Sequence, residues 1–183
     1  MKKNGYTIIE TMIAVSLFTI IVMTGIGALL NANLLHQKSQ DMRSIMDNLS
    51  FIMEDMGRNL RTGSGYHCID DGNVSATSPH SCAGGGGVSF DSALSGGRWV
   101  YAVFADQSIQ KSVDGGTTFI TLTPPEVKIS SAISPFSVLG AEPPLNDKQQ
   151  PFVIISLVGS ITFKDVITPF SLQTSVSQRL IDI

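Results

Sequence analysis

A chain of 183 residues with 12 Lys+Arg against 15 Asp+Glu carries a formal net charge of −3, which gives no general electrostatic reason to bind nucleic acid or anionic lipid. The length bounds the protein to one compact domain with, at most, one appended element. Charged residues are 15% of the chain, against about 25% in an ordinary soluble domain, and the deficit is concentrated near the N-terminus.

The chain opens on Lys2 and Lys3, then Asn4 and Gly5, and an apolar run begins at once with Tyr6. Between Glu10 and Lys38 there is no Asp, Glu, Lys or Arg; the run passes through Met12 to Met23 and on through Ile26 to Leu30. About 20 apolar residues span a hydrocarbon core of about 30 Å, so the stretch is long enough to cross a membrane. A secretory signal has a shorter apolar region, about 7–15 residues, and ends in a small-residue cleavage site. Ala28-Leu29-Leu30-Asn31-Ala32 is a poor version of that site. Glu10 interrupts the run near its start. A carboxylate at bilayer depth costs about 2.5–3.5 kcal/mol on insertion scales, so it reads as functional by default; the plainer reading places it at headgroup level, reaching water.

The order Gly5-Tyr6-Thr7-Ile8-Ile9-Glu10 resembles the class III signal of type IV pilins and type II secretion pseudopilins. In that family Gly is followed by an aromatic residue, Thr, two aliphatics and Glu. The resemblance implies a leader of residues 1–5, cleaved between Gly5 and Tyr6 by a prepilin peptidase on the cytoplasmic side. It also implies N-methylation of Tyr6. Glu10 then becomes the fifth residue of the mature chain and sets register by pairing with a neighbouring subunit's α-amine. Such a pair gains from low dielectric but loses much of the gain to desolvation, so it specifies register more than it adds stability. Tyr stands where Phe is commoner, and the midspan proline of many major pilins is missing: no proline precedes Pro79, and Gly25 and Gly27 occupy the region. The basic leader implies an N-terminus inside and everything after the span outside.

Met42, Ile45, Met46, Leu49, Ile52, Met53, Met56 and Leu60 recur at three- and four-residue spacing, the mark of one apolar helix face. Asp41, Arg43, Asp47, Asn48, Glu54, Asp55 and Arg58 fill the other side, and Thr62-Gly63-Ser64-Gly65 ends the pattern. The reading is a helix over 6–62, about 80 Å long at 1.5 Å per residue. Residues 6–35 are expected in lipid or a filament core, and 36–62 are expected to pack their stripe on a folded head.

Over 63–97 a Gly-rich loop region is expected, with Gly84 to Gly87 as a linker. Cys68 and Cys82 bracket a polar loop, and outside the membrane two such cysteines most simply form a disulfide. His67, Cys68, His80 and Cys82 also form a candidate metal set, but their order matches no common zinc spacing. Asp70-Asp71-Gly72-Asn73 hints at calcium without the rest of an EF-hand loop. Residues 98–183 read as β. Arg98–Phe104 is a strand, and Ser108–Ser112 with Thr117–Thr121 flank a turn at Asp114-Gly115-Gly116. Val127–Ile129, Phe136–Leu139, Phe152–Val158 and Phe170–Val176 follow, with a polar loop at Pro143-Pro144 and Asn146–Gln150. The expected fold is α+β, a long helix packed by its second half on an antiparallel β-sheet head.

No nucleophile elbow, phosphate-binding loop or zinc-protease motif occurs, so neither an enzyme nor a cofactor is expected. Met53–Arg61 and Leu172–Arg179 are similar to minor pseudopilins of the J type. The resemblance implies a structural subunit at the inner membrane and then in an extracytoplasmic filament. Its implied partners are other subunits, the prepilin peptidase, an assembly platform and membrane lipid. Two alternatives stand beside it: a single-pass anchored binding protein that never polymerises, and a DNA-capturing minor pilin, which requires a local basic patch on the head.

Overall fold

The computed structural model describes residues 5–130, 133, 135–143, 149–163 and 166–179. Lys2, Lys3 and Asn4 of the expected leader lie outside the described residues, as do Pro144 and Asn146–Lys148 of the expected polar loop. Two compact units make up the chain, Met1–Arg43 and Ser44–Ile183.

One helix, α1 (Ile8–Thr62), supplies the first unit. It begins two residues later than the apolar pattern alone suggested. Thr7 stays outside as the N-cap: its carbonyl accepts the first helical bond from Thr11 N–H (3.2 Å) and its hydroxyl accepts from Glu10 N–H (3.3 Å). This is half of a Thr-x-x-Glu capping box, which satisfies one of the orphan donors of a helix start.

In the second unit, the last turns of α1 bury Leu49, Ile52, Met53, Met56 and Leu60. Full burial of such a side chain is worth about 1.5–3 kcal/mol. Asn59 is buried among them, on the same face. The helix ends where Gly63 N–H returns to the Asn59 and Leu60 carbonyls at 3.1 Å. A Cβ at Gly63 would run into the Phe90 ring, so only glycine lets the chain turn here.

Among the described residues the strands form two five-stranded sheets, where one sheet was expected. The first runs β1 (Ser64–Ile69), β3 (Gly87–Asp91), β4 (Arg98–Val103), β5 (Ile109–Ser112), β6 (Ile120–Thr121). The second runs β10 (Val166–Ser177), β9 (Phe152–Phe163), β8 (Phe136–Leu139), β2 (Cys82–Gly85), and β7 (Val127–Ile129) also pairs with β9. Among the described residues these strands pair antiparallel throughout.

The segment 63–97, read as loop, contains β1, β2 and β3. Its glycines pass close to neighbouring backbone: a Cβ at Gly85 would strike the Ile69 carbonyl, and one at Gly87 the Tyr101 carbonyl. Glycine in a strand can mark close backbone approach as readily as flexibility. β9 likewise extends past Val158 to Phe163, because Gly159 lets the backbone lie against β7 at Ile129. In the hairpin, Thr117 and Thr118 leave the strand to bond the Asp114 carboxylate, so β6 is reduced to Ile120–Thr121.

Candidate functional site

At the N-terminal segment Tyr6 and Glu10 are exposed on the first unit, four residues apart about the helix start. Glu10 sits in the first turn of α1, where the positive end of the helix dipole favours a carboxylate. The capping geometry gives Thr7 a role that the apolar pattern did not reveal, although its spacing from Glu10 is legible in the sequence.

α1 is long and apolar enough to be a candidate membrane span. The apolar side chains of its first half are exposed among the described residues: Phe18 is 67% exposed and Leu29 71%. Lipid tolerates a hydroxyl only if it is satisfied from within. Thr11 donates to the Ile8 carbonyl and Ser16 to the Ile13 carbonyl, Thr19 to Val15 and Thr24 to Ile20, at 2.8–3.0 Å. This candidate span therefore satisfies its own hydroxyls in i−3 and i−4 bonds.

In the second unit a polar chain ties α1 to the first sheet. Asn59 Nδ2 donates to the Tyr101 hydroxyl (2.9 Å), and that hydroxyl donates to Asp55 Oδ2 (3.2 Å). Lys111 Nζ lies 3.4 Å from the same carboxylate oxygen and 4.2 Å from the centre of the Trp99 ring. Burial pushes the Tyr101 hydroxyl above its ordinary range, and the nearby Asp55 carboxylate adds to the shift, so it stays a neutral donor. The Tyr66 hydroxyl, raised by burial too, donates to the Leu60 carbonyl at the helix end. Neither tyrosine was distinguishable from an ordinary strand residue by pattern.

Cys68 in β1 and Cys82 in β2 are bonded to each other, with Cα atoms 5.7 Å apart, and so join the two sheets. The bond occupies both sulfurs of the His67–Cys68–His80–Cys82 set. Among the described residues no group of three His, Cys, Asp or Glu side chains is placed to hold a metal ion. The His67 and His80 rings lie tilted at 40° with centres 5.4 Å apart, and His67 Nδ1 meets the Ser78 carbonyl at 2.7 Å. In the Asp70–Asn73 loop, Asp71 and Asn73 accept from backbone N–H groups two residues on, which makes turns rather than a cation cage. Glu142 clamps the strand beside the disulfide by accepting from Ser81 N–H at 2.8 Å and from the Ser81 hydroxyl. Those bonds hold its carboxyl below the usual range. This contact spans 61 positions and left no trace in the sequence.

The last turns of α1 and β10 enclose a groove of about 590 Å³. Its lining includes Met53, Gly57, Leu172 and Val176 together with Glu54, Arg58, Arg61 and Arg179. No protein-family model, curated protein or solved structure matches the chain.

Proposed function

We propose that this protein is a structural subunit of the type IV pilin and pseudopilin kind, anchored by its N-terminal helix and assembled into an extracytoplasmic filament. The observation that carries the reading is the run Gly5-Tyr6-Thr7-Ile8-Ile9-Glu10 just before a helical stretch, residues 11–37, that has no Asp, Glu, Lys or Arg and leaves its large apolar side chains exposed. A surface of that kind needs lipid or neighbouring helices to cover it. In this reading a peptidase cuts between Gly5 and Tyr6, the new Tyr6 amine is methylated, and the Glu10 carboxylate pairs with that amine on a neighbouring subunit. A minor subunit is favoured by the J-type likeness of Met53–Arg61. A plain anchor has the same span but no use for a carboxylate inside it.

The test is the N-terminal sequence and intact mass of the protein from its native membrane. A methylated Tyr6 start is expected. A Met1 start would reduce the chain to an anchor, and a start beyond Ala28 would make it a secreted domain.

A further inference from the structure

β10 is the outer strand of its sheet: among the described residues it pairs with β9 alone. The direction of its backbone groups follows from one bond. Gln178 N–H donates to the Pro151 carbonyl at 3.0 Å, one step beyond the Ser177↔Phe152 pair. In an antiparallel ladder a residue aims both backbone groups at its partner or both away, in alternation. Thr174 and Val176, of the same parity as Gln178, therefore face β9, and Ser171, Gln173 and Ser175 aim their N–H and C=O groups outward. Arg179 has the outward parity, and its N–H indeed leaves the sheet to reach the Arg61 carbonyl at 2.8 Å. The helix thus closes one end of the edge, and Pro169, outward-facing without an N–H, blunts the other. Between them lies a short open edge, and Gln173 on that edge lines the groove beside α1.

The charge of the groove is opposite to that of the chain. Arg58 has Glu54 at 3.4 Å, but among the described residues Arg61 and Arg179 have no carboxylate within ion-pair distance. We infer that this groove binds an extended, acidic segment of another polypeptide, added as a strand to the β10 edge with carboxylates directed at Arg61 and Arg179. A strand satisfies outward N–H and C=O groups alike, with alternate side chains free to meet the groove's lining residues. A nucleic-acid backbone would meet the donors and the arginines but leave the carbonyls opposed to its own charge. That difference favours polypeptide. The inference does not depend on filament assembly.

The test uses the full chain in zwitterionic lipid nanodiscs and a fluorescent eight-residue peptide alternating valine and glutamate, read by anisotropy. Saturable binding is expected, weakened at least about tenfold by the Arg61→Glu/Arg179→Glu double variant. N-methylation of alternate peptide bonds should weaken it comparably, since it removes the ladder. No binding, or equal binding of the valine–lysine or N-methylated peptide, would overturn the inference. So would displacement of the peptide by a tighter-binding oligothymidine. Concentration-dependent dimers that the charge reversal dissociates, seen by sedimentation, would assign the groove to a second copy instead. Trp99 fluorescence monitors folding, and Arg179→Gln, expected to weaken binding about threefold, replaces the double variant if that signal is altered.

Discussion

Removing the Tyr101 hydroxyl isolates the link between helix and sheet. Tyr101 is fully buried and Asn59 is 6% exposed, so in Tyr101→Phe the Asn59 amide that donated across 2.9 Å has no water to replace its acceptor. A buried polar group left unsatisfied costs about 1–3 kcal/mol. Asp55 loses one donor but keeps Lys111 at 3.4 Å and is itself partly exposed, so its share is small. The expected loss is about 2 kcal/mol, nearly all of it from Asn59. Asn59→Leu should remove the unsatisfied amide, so the double variant should be less destabilised than the two single variants summed, by about 1 kcal/mol or more. Urea unfolding of the full chain in micelles measures this, with the single tryptophan, Trp99, as the reporter. A Tyr101→Phe loss below about 0.5 kcal/mol, or additive effects in the double variant, would refute the argument that Asn59 depends on this hydroxyl.

Opening the Cys68–Cys82 bond by Cys→Ala at both positions should cost about 3 kcal/mol for a loop of this length in the chain-entropy model, measured by the same unfolding assay. Gly159→Ala should destabilise the head and selectively expose β7, because the new Cβ collides with the Lys128 carbonyl; amide exchange at Lys128 and Ile129 reports it. The Asp114 carboxyl is held well below the usual range first by the Ser112 hydroxyl, then by Thr118. A lowered folded-state value means its contribution is whole above the unfolded value of about 3.9 and is lost as pH falls through the folded value. Amide exchange at Thr117 and Thr118 should therefore gain a component with acidification below about pH 4 that Asp114→Asn lacks. Thr7→Ala should fray the start of α1 by about 1 kcal/mol, seen as faster exchange at Glu10 and Thr11.

The sequence alone determined the features that depend on neighbours along the chain. The uncharged run from Thr11 to Gln37 and the three-and-four spacing from Leu49 to Leu60 specify α1, since a helix places such residues on one face whatever they later touch. Alternation and β-branched content located β4, β7 and β8, and the core of β9 and β10. Tertiary structure alone decided what lay between distant segments. The glycines of β2 and β3 look like linker until the Ile69 and Tyr101 backbones are placed against them. Asn59 breaks the apolar stripe until Tyr101, 42 positions away, supplies its partner. The division into two sheets, the disulfide that joins them and the arginine-rimmed groove at the β10 edge arise from the same cause: strand pairing is non-local, and no local pattern encodes which edge is left open.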